Sequence, residues 1–315
     1  MRIAWTSIIR TLFALLLMVL GGIFFVRNGA ELQSISKAFH GARPEYLLVA
    51  FATSVCIVLI QSAVIRACYR SLEKDIPFRE AIVLYLKRFF LSPFIPGGFS
   101  VAQYTLTKDL DHHDIKPSEH TFVSSAFVLV SATSYLILLV PIVFLVGRVL
   151  LQDEEHIYVL ARIFAGAIAT AVTLIVVCRP LLSRLVRKWL APHVGHFHSK
   201  PLIEAGLLSL LVDSAGMLLL WSALHSLGIQ VAVEIAAAAY VLTALVLTAS
   251  PLFQGLVVVE SALVFFLGKA GVPTADALAG TLIFRGFQLW LPLLVGGFVY
   301  VWPLWHKAKS HLGIE

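Results

Sequence analysis

The sequence predicts an all-α membrane protein whose helices cross the bilayer several times. Hydrophobic residues make up 59% of the chain and charged residues only 13%, and the mean hydropathy is +0.90. A soluble domain has about 45–50% apolar and about 25% charged residues. The apolar runs exceed the ~20 residues that span a hydrocarbon core as a helix, and they lack the alternation of barrel strands.

An internal repeat predicts how these helices are arranged. The tripeptide Ser92-Pro93-Phe94 recurs as Ser250-Pro251-Leu252, at an offset of 158 positions. The same offset superimposes two pairs of apolar runs, namely 44–69 on 202–227 and 123–145 on 281–303. We therefore expect one transmembrane domain over residues 1–315, with repeat A at about 44–147 and repeat B at about 202–303.

Six full spans are expected from the long apolar runs, at about 8–26, 45–66, 119–147, 157–178, 202–227 and 281–303. The first run follows Arg2 and Arg10 but ends without a small-residue cleavage site, so it predicts an uncleaved span rather than a signal peptide.

Two broken units complete the predicted architecture, one at about 80–106 and one at about 234–269. The first unit has 27 residues, and a break within Ser92–Gly98 divides it into two arms of some 13 residues each. Each arm is about 20 Å long at 1.5 Å per residue, which is too short to cross ~30 Å. Proline removes backbone donors and glycine admits unusual torsions, so we interpret both units as re-entrant hairpins. A kinked continuous helix is the alternative.

Basic residues predict the orientation. The loop at 179–201 carries five of them and no acid, whereas the loop at 147–157 carries one and three acids. Cytoplasmic loops are rich in Lys and Arg. With the hairpins inserted from opposite sides, fifteen basic residues face the cytoplasm and five face outwards. The two repeats are then inverted, and both termini are cytoplasmic.

Ionisable residues within membrane segments are the first candidates for a binding site, because they are costly there. Six fall in predicted membrane segments: Lys87, Arg88, Arg162, Asp213, Glu260 and Arg285. Glu260 and Arg285 lie on adjacent segments at similar depth, so we predict that they contact each other. They form either an ion pair that locks two helices or a polar site for a lipid headgroup.

The other charged candidates leave alternatives open. Lys87 and Arg88 either extend to the cytoplasmic interface or capture phosphate near a hairpin tip. Asp213 either hydrogen-bonds a neighbouring helix or belongs to the site. The remaining substrate-binding candidates are uncharged residues at or near the two tips: Pro96, Gly97, Gly98, Gln103 and Gly255.

Several kinds of chemistry find no support in the sequence. Three histidines at 193–198 lie in a basic loop without a carboxylate or thiolate, so no metal site is predicted. Nucleophile signatures and a P-loop are absent, and three scattered cysteines indicate no disulfide framework. We expect no cofactor. The net charge of +6 is explained by topology, so nucleic acid is not an expected partner.

The C-terminal motif resembles that of a known family. It reads Gln254-Gly255-Leu256-Val257-Val258-Val259-Glu260-Ser261-Ala262-Leu263, followed by Gly271-Val272-Pro273 and Leu282-Ile283-Phe284-Arg285. The lysylphosphatidylglycerol synthase transmembrane-region family has a similar pattern, G-G-x-G-x-x-E-A, then G-V-P and L-x-x-R. Gln254 and Val257 replace two of its glycines. Its earlier motif, P-G-x-x-G-E, is matched at Pro96-Gly97, with Ser100-Val101 in place of Gly-Glu.

The resemblance implies a lipid-handling domain of the bacterial inner membrane, similar to the flippase region of the synthases. Because the chain ends at Glu315, we expect a stand-alone transporter of polar-headgroup lipids, with phospho- or modified headgroups. Its expected partners are membrane lipids. One alternative is an intramembrane transferase with Glu260 or Asp213 as base. The other is an accessory subunit of an enzyme in lipid-linked glycan or hopanoid metabolism, and self-association is open.

Overall fold

The computed structural model describes residues 41–93, 115–150, 198–249 and 256–312. These residues are helical and contain no strand. The helices are α1 (Pro44–Arg70), α2 (Phe78–Leu91), α3 (Pro117–Leu150), α4 (Ser199–Ser226), α5 (Val233–Ala249), α6 (Leu256–Lys269), α7 (Thr274–Arg285) and α8 (Leu291–Leu312), with a π-helix over Gly286–Trp290 between α7 and α8. The spans predicted at 8–26 and 157–178, and the tip and return arm of the first hairpin, lie outside the described residues.

Four helical segments of the described chain are long and apolar enough to cross a membrane. They are Pro44–Arg70, Ser118–Leu139, Ser199–Ser226 and Thr274–Trp302. Large apolar side chains such as Leu48, Leu129, Leu207 and Phe298 are exposed on their outer faces. Such faces suit hydrocarbon rather than water. The described residues are therefore those of a helical membrane protein, with four candidate spans among them.

The central pair of helices, α1 and α4, is antiparallel and in contact along its length. At one end the backbone amide of Arg43 donates to the carbonyl of Ser226, at 2.7 Å. At the other end Arg70 Nη1 lies 3.1 Å from Glu204 Oε2. The remaining described helices pack around this pair.

Two helices end where the repeated tripeptide predicts a break. The last residue of α2 is Leu91, before Ser92-Pro93, and the last residue of α5 is Ala249, before Ser250-Pro251. Helices usually end at or before the residue that precedes a proline, because the ring disfavours helical torsions there. Both predicted helix ends are confirmed.

Helices α5 and α6 lie on either side of the second predicted break. They pack against each other, and α5 and α7 both pack against α4. Helix α5 begins at Val233, shortly after α4 ends at Ser226. Helix α7 begins nearby, since its Gly280 packs against Leu224 of α4. In the described residues, α5 and α7 thus both begin near the C-terminal end of α4.

The order and packing of helices recur along the chain. The starts of α4 and α5 follow those of α1 and α2 by 155 positions each, and α7 begins 157 positions after α3. Helix α2 packs against both α1 and α8, and α5 correspondingly packs against both α4 and α3. Each helix that precedes a predicted break thus packs against one helix of its own repeat and one helix of the other repeat.

The Gly-Val-Pro motif forms the turn between α6 and α7. Gly271 has a φ of 86°, a left-handed conformation that only glycine adopts at low cost. The amide of Val272 then donates to the carbonyl of Leu267, at 3.0 Å, which satisfies the end of α6. Pro273 immediately precedes α7. The last candidate span therefore begins at Thr274, seven residues before the predicted start. The prediction missed these residues because polar side chains lower the hydropathy of the first turns.

Candidate functional site

Glu260 and Arg285 form a buried ion pair, which confirms the predicted contact. Arg285 Nε lies 2.6 Å from Glu260 Oε1, and the two side chains are 3% and 16% exposed. Arg285 is the last residue of α7. Glu260 is the fifth residue of α6 and not midway along it as predicted, so it lies close to the break between α5 and α6. The pair joins the return arm of the predicted hairpin to the last candidate span.

The guanidinium of Arg285 has more donors than Glu260 occupies. A guanidinium carries five N–H groups and accepts no hydrogen bond. Its Nη2 is buried and has no hydrogen-bond partner among the described residues. The hydroxyl of Thr281, one turn earlier on α7, is likewise buried without a partner in that part of the chain. Surplus donors at this position fit a ligand rich in acceptors, such as a phosphate.

A π-helix follows Arg285 directly and fixes the segment to α1. Its i→i+5 bonding is uncommon and often marks functional sites. The hydroxyl of Ser54 on α1 donates to the carbonyl of Phe287 at 2.7 Å, and this bond is buried. The position of Arg285 is therefore tied to the central pair of helices. Sequence reasoning missed this element, since nothing in Gly286–Trp290 signals a π-helix.

Asp213 is the centre of a buried hydrogen-bond network between α3, α4 and α5. Its side chain is 3% exposed. Ser134 Oγ lies 2.5 Å from Asp213 Oδ2, and the Tyr135 hydroxyl also bonds the carboxyl group. Tyr240 on α5 bonds Tyr135 in turn. The prediction that Asp213 hydrogen-bonds a neighbouring helix is confirmed.

Sequence reasoning missed the hydroxyl-bearing partners of Asp213. One signal was present, because Ser131, Thr133, Ser134 and Tyr135 cluster in an otherwise apolar run. Serine and tyrosine are common in membrane helices, however, and the sequence does not show which helices are neighbours.

Tyr240 connects the Asp213 network with the ion pair. Its ring lies edge-on to that of Phe284, with centroids 6.2 Å apart, and Phe284 precedes Arg285. Its phenol also packs against Gly216 on α4, where a side chain would collide with it. A movement of the Tyr240 ring would therefore affect both the Asp213 network and the Glu260–Arg285 ion pair.

Arg88 points into the protein interior. Its side chain is fully buried, and its guanidinium lies 4.4 Å from the centroid of the Phe127 ring. The phenols of Tyr69 and Tyr85 lie near it. The prediction that Arg88 extends to the membrane interface is therefore wrong. Lys87, next to it, is half-buried. Phosphate capture by either residue stays a prediction.

Comparison with known families agrees with the C-terminal motif. The model of a family described as the lysylphosphatidylglycerol synthase TM region matches residues 8–296. The chain belongs to this family. No curated protein matches the sequence. Membership supports a lipid-related function in a membrane.

The matched region of this lysylphosphatidylglycerol synthase TM-region protein contains a series of buried or half-buried polar side chains on the described helices. Tyr85 on α2 lies near Arg88 and is buried as well. We call this series the polar row, and its members are Arg88, Tyr85, Tyr135, Asp213, Tyr240, Arg285 and Glu260.

Other predicted site residues of this family member lie outside the described residues: Pro96, Gly97, Gly98, Gln103 and Gly255. Arg162 does too. Within the described ranges, no group of three or more His, Cys, Asp or Glu side chains could hold a metal ion. Of the histidines at 193–198, His198 is described, and its Nε2 lies 2.6 Å from Glu73 Oε1 at the protein surface.

Proposed function

We propose that this protein moves a lipid with a phospho- or modified headgroup between the leaflets of the bacterial inner membrane. The headgroup binds at Glu260 and Arg285. The observation that carries the proposal is a buried ion pair beside a helix break, with a guanidinium nitrogen that has no partner among the described residues. Family membership supports a lipid as the ligand.

The charges of the pair suit a lipid headgroup. The Arg285 guanidinium binds phosphate oxygens through its remaining N–H groups. When no lipid is bound, Glu260 compensates the charge of Arg285, which would otherwise be buried at a cost of several kcal/mol. Glu260 can also accept hydrogen bonds from an amine on the headgroup. A lipid that carries both phosphate and amine is therefore complementary to the pair.

We infer that two inverted repeats place this site near the middle of the bilayer. The recurring helix bounds and the antiparallel α1 and α4 support an inverted relation. In this arrangement α5 and α6 re-enter from outside, the first hairpin enters from the cytoplasm, and both termini are cytoplasmic. Broken helices near the midplane are where many transporters bind their substrates.

The second half of the lipid path is proposed on the other repeat. Lys87 and Arg88 lie on α2, whose position in repeat A corresponds to that of α5 in repeat B. The tip residues Pro96, Gly97 and Gly98, together with Gln103 and Gly255, complete the path. The headgroup follows the polar row, while the acyl chains stay in lipid beside the exposed apolar faces.

Reconstitution tests this function directly. The purified protein is placed in vesicles that carry fluorescent phospholipids in one leaflet, with anionic, zwitterionic and cationic headgroups tested separately. We expect lipid movement well above that of empty vesicles, and a marked reduction in Glu260→Gln. The matched control is Glu234→Gln, which makes the same chemical change at an exposed position on the same hairpin.

Two outcomes would overturn the proposal. One is equal lipid movement in wild type and in Glu260→Gln. The other is no movement with any headgroup, while an added nucleotide-sugar or aminoacyl donor yields a modified lipid; that result assigns the protein to the transferases.

A further inference from the structure

Asp213 lies at the centre of a candidate membrane span. It is fourteen residues from the start of α4 and thirteen from its end, which places it about 20 Å from each. Its side chain is 3% exposed. A carboxylate is costly at this depth, and intramembrane carboxyl groups often belong to proton relays.

The groups that face Asp213 are hydroxyls. Ser134 and Tyr135 contact it from α3, and Tyr240 follows from α5. The arginines of α1 and α7, which also pack against α4, have other partners, as does Tyr69 on α1. These are Arg66 with Asp75, Tyr69 with His120, Arg70 with Glu204 and Arg285 with Glu260. Within the described ranges, no Lys, Arg or His side chain contacts the Asp213 carboxyl group.

Ser134 can satisfy Asp213 in both protonation states. Its Oγ lies 2.5 Å from Asp213 Oδ2 and 2.8 Å from the carbonyl oxygen of Ser131. When Asp213 is ionised, Ser134 donates its only hydrogen to the carboxylate. When Asp213 is protonated, the carboxylic acid donates to Ser134 Oγ, and Ser134 turns its hydrogen to Ser131. Lysine or arginine could not reverse in this way, because they only donate.

Tyr135 and Tyr240 connect the hydrogen bonds of Asp213 with the surroundings of the ion pair. The Tyr135 hydroxyl has one hydrogen, which it donates to the Asp213 carboxylate, so it accepts from Tyr240. Tyr240 contacts Phe284, whose neighbour Arg285 holds Glu260. Packed side chains thus link the hydrogen bonds of Asp213 to the proposed headgroup site.

We propose that Asp213 is a proton-binding site, and that its protonation and deprotonation couple lipid movement to the transmembrane proton gradient. The proton enters from one side of the membrane and leaves on the other, and no covalent bond of the lipid changes. Proton binding stands on the geometry of the hydroxyl groups. Coupling additionally rests on the proposed lipid transport.

Infrared spectroscopy of the whole protein in vesicles tests proton binding without any transport. The C=O stretch of a protonated carboxyl group should appear and disappear across a pH series in wild type. We expect this band to be absent in Asp213→Asn and unchanged in Asp276→Asn, the same substitution at an exposed position on α7. In Ser134→Ala the band should shift in frequency, because the carboxyl group loses a hydrogen bond.

A gradient experiment tests coupling. Vesicles with an imposed pH difference should move lipid faster than vesicles without one, and a protonophore should remove this acceleration. We expect Asp213→Asn to lose the acceleration, while Asp276→Asn retains it. Replacement of sodium by choline should have no effect.

The outcomes separate this inference from the proposed function. Absence of a titrating band that depends on Asp213 overturns proton binding. Coupling is overturned by a sodium requirement, by equal acceleration in Asp213→Asn, or by an Asp213→Asn variant that changes only which headgroup moves. If wild type moves no lipid at all, the proposed function and coupling both fail, whereas the infrared titration still decides proton binding.

Discussion

The phenol of Tyr240 lies directly against Gly216, and no side chain fits between them. The contact brings α4 and α5 close together at a point where small residues let membrane helices approach. It also positions the Tyr240 hydroxyl, which hydrogen-bonds Tyr135, and Tyr135 in turn hydrogen-bonds Asp213. A single glycine on α4 therefore shapes the polar row.

Gly216→Ala should destabilise the protein by about 1–3 kcal/mol, because the added methyl group overlaps the Tyr240 ring. The measurement is reversible unfolding in mixed detergent micelles. The control is Gly206→Ala on the same helix, where a Cβ meets no atom within 4 Å. That change should be neutral or slightly stabilising, because alanine favours helix. Equal unfolding free energies for the two variants would contradict the packing described here.

Charge reversal at the buried ion pair should be severe. Glu260→Arg or Arg285→Glu leaves two like charges together in the interior, and removing one partner of a buried pair alone costs about 3–5 kcal/mol. The double swap, Glu260→Arg with Arg285→Glu, should recover part of the loss. Unfolding in mixed micelles is the measurement for all three variants.

The surface pair of Arg66 and Asp75 is the comparison for that experiment. Its atoms lie 3.0 Å apart, but its side chains are 36% and 65% exposed. Exposed pairs contribute about 0–1 kcal/mol, so Asp75→Asn should change stability little. If the single reversals at the buried pair are equally mild, or the double swap recovers nothing, Glu260 and Arg285 do not stabilise each other.

The sequence predicted those features that depend on one residue's own chemistry. Proline ended α2 and α5 where it was expected, because its ring disfavours the helix before it. Glu260 and Arg285 were expected to meet, because a charge within a membrane needs a partner. Family membership followed from the motif that contains both residues.

Features that depend on which helices are neighbours could not be predicted. The Asp213 network needs α3, α4 and α5 side by side, and its hydroxyl groups are unremarkable in sequence. The π-helix is held by Ser54 from a helix more than 200 positions away. Of the two alternatives predicted for Arg88, extension to the interface was wrong, because the packing of α2 turns the side chain inward over Phe127.

Ser54→Ala should destabilise the protein by about 1 kcal/mol, since it removes a buried donor to the carbonyl of Phe287. Ser62→Ala on the same helix is the control, because Ser62 is also buried but bonds only the carbonyl of Val58 within its own helix. We expect the control to lose less. Unfolding in mixed micelles compares the two, and equal losses would count against a special role for the bond to the π-helix.

Accessibility to thiol reagents can decide the topology, provided that exposed positions are used. Ala277, a natural choice near the start of α7, is fully buried and should stay unlabelled until the protein unfolds. Glu234 at the start of α5, Asp276 at the start of α7 and Lys200 at the start of α4 are exposed. Each can be replaced by cysteine after Cys56, Cys68 and Cys178 are changed to serine.

Cysteines at 234 and 276 should react with a membrane-impermeant maleimide from outside, and a cysteine at 200 only from the cytoplasm. The reason is that α5 and α7 both begin at the C-terminal end of α4, whereas Lys200 lies at its N-terminal end, about 40 Å away along the helix. Intact cells and inverted vesicles provide the two sides, and the cysteine at buried position 277 reports unfolding. Labelling of 234 and 276 from opposite sides would mean that α5 and α6 together cross the membrane once. The prediction of a re-entrant hairpin would then be wrong.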